Sequence, residues 1–312
     1  MAETTRPRGV YAAIMKPLTK DFEVDLPLLV AHGRWLLANG CDGLAPLGTT
    51  GEANSLSVDQ RLRVIDAMAS AGLPMGKMII GTGSCALADA VELARAALAA
   101  GCPNVLVIPP FYYKNPSDAG LHAFYAAMVD RVKDRRLRVY LYHFPQMSAV
   151  PITPALIEML RTSHGTEVIA GLKDSSGDWN NTKALIDRFP GFDVFSGSEH
   201  FLAQNLAAGG PGCISATTNV TAPVARAVMA AGVGPQADAL QEGLSELRLT
   251  IQAFPLVAAL KHIKAELTGE PGWSRLLPPL MPLAADQAAA LMTKLRAARD
   301  FPRLQETMRL AA

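Results

Sequence analysis

Lys173 ends an apolar run, Val168-Ile-Ala-Gly-Leu, and a polar turn, Asp174-Ser-Ser-Gly-Asp178, follows at once. Such a run, rich in β-branched and small side chains, reads as a buried strand that stops at a polar mouth. A lysine placed there loses much of its water. That disfavours the ammonium form and frees an amine to act as a nucleophile toward a carbonyl carbon. A strand-end lysine can also snorkel to solvent or pair with Asp174, so the assignment turns on what else reaches the same mouth.

Other polar groups also follow apolar runs. Gly48-Thr49-Thr50-Gly51-Glu52 comes after residues 40–47; its glycines permit close backbone approach, and its amides and hydroxyls suit a carboxylate. Phe111-Tyr112-Tyr113 follows residues 104–108, and Tyr142-His143 ends the run that starts at Arg138. Gly197-Ser-Glu-His200 follows residues 193–196, and Ser215-Ala-Thr217 ends residues 212–215. Taken singly, each has a plainer explanation: a turn, a packed tyrosine, a half-buried histidine. Gly81-Thr-Gly-Ser-Cys-Ala86 matches a dinucleotide-binding pattern literally, but it sits on the third strand unit and no acidic residue ends the next strand. The other five histidines lack metal-ligand spacing. A lysine, a tyrosine, a tyrosine pair and a carboxylate-sized turn at successive strand ends argue for one shared site.

The elements that position these residues alternate. Strand-like runs at 9–14, 40–47, 77–81, 104–108, 138–142, 168–173, 193–196 and 212–215 are separated by amphipathic, helix-length segments. The helices are expected at 25–38, 57–71, 86–100, 117–134, 153–161, 180–189 and 200–208, with Ser57 reading as an N-cap. The strands are too apolar for a sheet wet on one face, and eight strand-then-helix units close most naturally as an α/β fold, a (β/α)8 barrel. In that fold the site lies at the C-terminal ends of the strands, where all the residues above fall. After Val220 strand signals stop. The expected division is a catalytic barrel over 1–225 and a small helical C-terminal domain over 226–312.

Composition excludes several function classes. Of the 312 residues 50% are hydrophobic and the net charge is only +1, which fits neither a nucleic-acid groove nor a polybasic membrane surface. No apolar run approaches the ~18 residues of a membrane span, and Met1 to Val10 is polar, so a cytoplasmic protein is expected. Cys41, Cys85, Cys102 and Cys213 have no C-x-x-C spacing and read as reduced packing thiols.

The motifs together resemble a family: the pyruvate-dependent class I aldolases and lyases typified by dihydrodipicolinate synthase and N-acetylneuraminate lyase. The resemblance spans nearly the whole chain. It rests on Gly48-Thr-Thr-Gly-Glu52 with Leu56-Ser57, Phe111-Tyr-Tyr-Lys-Asn-Pro-Ser117, Tyr140-Leu-Tyr-His-Phe-Pro145 and Gly171-Leu-Lys-Asp-Ser-Ser176, in this order. It implies that Lys173 forms a Schiff base with a 2-oxo acid, that Tyr142 handles protons beside it, and that Gly48, Thr49 and Thr50 hold the substrate carboxylate. Tyr113 matches a tyrosine that relatives present across a tight dimer interface to complete a relay with Thr49 and Tyr142. Gly197 and Ile214 match pocket-lining positions. The family implies a homotetramer built from tight dimers, and no metal or other cofactor, because the protonated imine itself serves as the electron sink.

Two departures bear on the substrate. Dihydrodipicolinate synthases carry an arginine two residues past the proline of the Tyr-x-x-Pro segment, and here that position is Met147. Without a guanidinium fork, aspartate semialdehyde loses a bidentate anchor. His143 replaces an asparagine common in the family. The expectation is therefore an aldolase or dehydratase for a 2-keto-3-deoxy sugar acid or a hydroxy-oxo acid, with Gln146, Ser148, His143, Ser175 and Thr217 as candidates for reading hydroxyls. The alternatives are dihydrodipicolinate synthesis and a non-catalytic 2-oxo acid sensor.

Overall fold

The computed structural model describes residues 6–309. The reading of the first five residues, and the last three of the expected C-terminal domain, lie outside that range. Eight strands run parallel in the order β2-β1-β8-β7-β6-β5-β4-β3. They are β1 Gly9–Ala12, β2 Gly43–Leu44, β3 Ile80–Gly81, β4 Asn104–Val107, β5 Arg138–His143, β6 Ile169–Asp174, β7 Asp193–Ser196 and β8 Gly212–Ser215. A single bridge between Leu44 and Met78 joins the two ends of the sheet, so the eight expected units close as a barrel. The regular ladder of β2 is shorter than the 40–47 run, although Ala45 still donates to the Ala12 carbonyl and accepts from the Ile14 amide before the chain enters the glycine loop.

The helices between the strands are α1 Leu26–Ala38, α2 Val58–Ser70, α3 Leu87–Ala99, α4 Asp118–Val132, the short α5 Pro145–Ser148, α6 Pro154–Val168, α7 Trp179–Arg188 and α8 Leu202–Ala207. Their starts follow local chemistry: Ser57, Ser117 and Thr153 each accept from the backbone amide three residues on and Asp178 from the one two residues on, and Ser57 forms a full capping box with Gln60. α6 runs past its expected end at 161, interrupted at Gly165, whose φ of 79° only glycine adopts at little cost. The helix expected from His200 begins instead with a 3-10 turn, Glu199–Phe201.

After β8 come α9 Thr218–Ala231, α10 Pro235–Gln252, α11 Leu256–Thr268, α12 Ala285–Ala297 and α13 Phe301–Arg309. α9 is continuous through the boundary expected at 225/226, so the barrel's last helix ends at Ala231. Its Asn219 accepts from the Met15 amide and donates to the Ala13 carbonyl, fixing that helix to the segment that follows β1. No helix among the described residues is long and apolar enough to cross a membrane.

Two apolar layers result. Val139, Leu141, Ile169 and Leu172 point outward into the core between sheet and helices, whereas Tyr140, Tyr142, Ala170, Phe195 and Ile214 fill the barrel interior. β6 carries a bulge: Val139 pairs with Ile169, but Tyr140 pairs with Gly171, leaving Ala170 as an extra residue. Strict alternation from Ile169 would turn Lys173 outward. The extra residue resets the phase and brings Lys173 opposite Tyr142 inside the barrel. Gly171 makes the close fit possible, since a Cβ there would lie 2.4 Å from the Asp193 carbonyl oxygen and 2.6 Å from the Tyr140 ring.

Candidate active site

Lys173 is 5% exposed, yet its Nζ makes no ion pair among the described residues. It lies 3.3 Å from the Tyr142 hydroxyl and 4.4 Å from the centre of that ring. Asp174, the neighbour that could have neutralised it, is occupied elsewhere. Its carboxylate accepts from the Ser176 amide at 2.9 Å, from Asn181 Nδ2 at 2.9 Å and from the Thr182 hydroxyl at 2.7 Å. The Tyr142 hydroxyl also meets Thr49 Oγ1 at 3.5 Å, so lysine, tyrosine and threonine form one chain of exchangeable protons.

The Thr49 loop is held in an unusual backbone shape. Leu47 (φ 62°) and Glu52 (φ 52°) flank it in the left-handed region, a conformation that costs non-glycine residues about 1 kcal/mol or more. What pins it is Glu52. Its Oε2 accepts from the Leu277 amide at 2.7 Å, and its other oxygen pairs with buried Lys261, whose Nζ also donates to the Arg275 carbonyl at 2.6 Å. Gly51 lies where a Cβ would be 2.9 Å from the Ile14 carbonyl oxygen. The Thr49 and Thr50 amides donate to no protein carbonyl among the described residues, which leaves them for an acceptor from outside the chain.

A cavity of about 830 Å³ opens above Lys173. Thr49, Thr50, Tyr142, Lys173, Gly197 and Ser175 line its floor, with Phe144, Met147 and Arg248 farther out. A Cβ on Gly197 would meet Ser175 Oγ at 2.2 Å and the Asp174 carbonyl oxygen at 2.7 Å, so glycine is what lets β7 pass under the lysine loop.

Several expected residues are placed otherwise. Gly48 lies in the loop but borders a small hollow beside Tyr142 rather than the main cavity. Ile214 is packed in the barrel interior below the site. His143 is buried, its Nδ1 accepting from the Ile152 amide at 2.9 Å, and burial pushes its pKa below the ordinary histidine value against the opposing pull of Asp174. Ser148 donates to backbone carbonyls and accepts from the Val150 amide, Gln146 donates to the Ser176 carbonyl, and Thr217 serves Glu199. None of these four lines the cavity. Tyr113 is 79% exposed beside Tyr112 and does not reach Thr49 or Tyr142 of its own chain.

Two buried charge clusters were not legible from local sequence. Glu199 is fully buried; it accepts from the Ser215, Thr217 and Thr221 hydroxyls and lies 3.8 Å from Arg248, which itself donates to Thr217 at 3.1 Å. Its partners come from β8, α9 and α10, 16 to 49 positions away. Lys16, just beyond β1, is buried near Glu52 with no hydrogen-bond partner among the described residues; burial pulls its pKa down to about 7 despite that carboxylate.

Comparison with known proteins agrees with this architecture. Residues 6–298 match the model of the dihydrodipicolinate synthetase family. An "uncharacterized DapA-like lyase" from Chloroflexus aurantiacus is 40% identical over 293 residues, covering 91% of this chain and 95% of that protein. The 4-hydroxy-tetrahydrodipicolinate synthase of Agrobacterium fabrum is 33% identical, covering 88% and 92%. A prophage protein of the dihydrodipicolinic acid synthase family from E. coli K12, solved in complex with pyruvate, superposes with a TM-score of 0.86 at 29% identity, covering 95% and 99%. The whole-length match, the barrel and the named relatives together show that this chain is a lyase of the dihydrodipicolinate synthetase family.

Proposed function

We propose that the protein is a Schiff-base lyase acting on 2-oxo acids, with Lys173 as nucleophile. The observation that carries this is the Lys173 side chain, buried, without a carboxylate partner among the described residues and 3.3 Å from the Tyr142 hydroxyl. Lys173 attacks the C2 ketone, the Tyr142 hydroxyl relays the proton that leaves with water, and a protonated imine remains. That imine accepts the electron pair released at C3, so a carbon–carbon bond breaks or forms through an enamine. The free Thr49 and Thr50 amides bind the substrate carboxylate and hold C2 over the amine. Tyr113, held out on its loop, serves a second copy of the chain in an assembly of tight dimers, and no metal is called on.

Met147 sits on the cavity rim, 60% exposed, where a guanidinium would be needed to hold an acidic aldehyde. An uncharged far half, as in a 2-keto-3-deoxy sugar acid or a hydroxy-oxo acid, is therefore favoured over aspartate semialdehyde. The test is hydrogen exchange: in D2O the protein should catalyse loss of the methyl proton signal of pyruvate, which requires the enamine. Lys173→Ala should abolish it. Binding of pyruvate without exchange would instead point to a 2-oxo acid sensor.

A further inference from the structure

Nine large apolar side chains are substantially exposed among the described residues, and four of them, Met147, Leu249, Leu280 and Met281, line the cavity above Lys173. Apolar residues scattered singly over a surface need no explanation; four converging on one cavity do. They come from α5, α10 and the segment before α12, so the wall is built by three separate stretches of chain.

The polar groups that share this cavity are mostly engaged. Arg248 is balanced by Glu199 and gives its Nε to Gln252 at 2.9 Å. Ser196 donates to the Ser198 carbonyl at 2.8 Å, and Thr182 donates to Asp174. Gln287 accepts from the Ala284 amide at 3.3 Å. Among the described residues the groups left without a partner are the Ser175 hydroxyl on the floor, His200 Nδ1, which is buried, the Ser198 hydroxyl proton, and the Nε2 groups of the exposed Gln252 and Gln287. Among the described residues no uncompensated charge lies on this wall to hold a second carboxylate, and the four large side chains that form it offer no hydrogen bond to a hydroxyl.

We infer that the aldehyde half of the substrate is neutral and apolar, an aromatic or branched aliphatic aldehyde, seated on Met147, Leu249, Leu280 and Met281. This rests on the lysine imine reading above; of the two substrate classes favoured there it keeps the hydroxy-oxo acid and sets the sugar acid aside. A sugar-like chain laid on this wall would lose hydrogen bonds to water without replacing them, which costs several-fold to a hundredfold in kcat/KM. In the synthetic direction, C3 of the pyruvate enamine forms the new bond to the aldehyde carbon. The carbonyl π pair takes a proton from Tyr142 to become the 4-hydroxyl, and water then hydrolyses the imine, releasing a 4-hydroxy-2-oxo acid and restoring the lysine amine. Cleavage is the reverse, with the aldehyde leaving.

The experiment measures pyruvate addition to benzaldehyde, isobutyraldehyde, glyceraldehyde and aspartate semialdehyde by the full-length protein. Pyruvate trapping by borohydride is run on the same preparation. The expected result is that kcat/KM for the better apolar aldehyde exceeds that for glyceraldehyde and for the semialdehyde by about tenfold or more. Met147→Arg should move the ratio of semialdehyde to benzaldehyde upward by about tenfold, and Met281→Asp should raise KM for benzaldehyde several-fold. Trapping with equal or better use of glyceraldehyde or the semialdehyde overturns the apolar assignment and leaves the imine reading intact. So does a change of solution mass in Met281→Asp without a change in aldehyde preference, because the patch would then be an interface between copies. Absence of trapping overturns both.

Discussion

Tyr142 and Lys173 are register partners on adjacent parallel strands, their functional atoms 3.3 Å apart, and they face each other only because Ala170 is an extra residue in β6. The pairing is thus a property of the strand ladder as much as of the two side chains. Both are buried and anchored in the barrel wall, so neither rotamer needs to be selected on substrate binding.

Removing only the hydroxyl of that pair should separate chemistry from packing. Tyr142→Phe keeps the ring that covers Lys173 but breaks the proton path to Thr49. We expect kcat to fall by about 10²- to 10⁴-fold with an unchanged circular dichroism spectrum. A loss under tenfold would mean that another group moves the proton.

Gly197→Ala tests how tightly the site floor is built. The added methyl would press on Ser175 and the Asp174 carbonyl, directly beside Lys173. A displacement near 1 Å there should cost about 10²-fold in kcat/KM. Wild-type kinetics in this variant would show that the lysine loop yields freely.

Glu199 is expected to matter to the fold. Glu199→Gln leaves Arg248 buried without its counter-charge and presents an amide to three hydroxyl donors. Urea unfolding should report a loss of about 3 kcal/mol, in line with the cost of breaking a buried ion pair from one side. A change below about 0.5 kcal/mol, the size of an ordinary surface substitution, would contradict the account.

Lys264 sets a pH dependence of stability. It is buried between the Trp35 ring, 4.1 Å from its Nζ, and Met308 Sδ at 3.3 Å, and burial pulls its pKa from 10.5 down to about 7. Below pH 7 the folded and unfolded chains both carry the proton, and the cost of the buried ammonium is at its full size. Between about 7 and 10.5 the unfolded chain still binds a proton that the folded chain has released, so this group makes stability rise with pH across that window. Lys264→Met should be more stable than wild type at pH 6, by about 2 kcal/mol or more, and the advantage should shrink toward pH 10. A difference independent of pH would rule this out.

Much of the fold could be read in the sequence because apolar runs and caps are local signals. Ser57, Ser117 and Thr153 start their helices where side-chain chemistry requires, and the strands from β4 onward begin within about one residue of the expected positions. The β6 bulge was not readable, since a continuously apolar strand carries no alternation from which to infer phase. Lys173 could be placed at the mouth from sequence, but the direction it faces could not.

The hydroxyl-reading candidates show the same limit from the other side. Ser148, His143 and Thr217 have the right chemistry at the right strand ends, but they spend it on the Val150 and Ile152 amides and on Glu199. A side chain's polarity is visible in sequence; whether the backbone has already claimed it is not. Glu199 with Arg248, and Glu52 with Lys261, depend on contacts between distant segments, and no local pattern announces them.

The most direct test of the central claim is mass spectrometry of the protein after incubation with pyruvate and borohydride, followed by peptide mapping. One reduced pyruvate adduct per chain is expected, located on Lys173 and absent from Lys173→Ala. No adduct, or an adduct on another lysine such as Lys16 or Lys261, would contradict that claim.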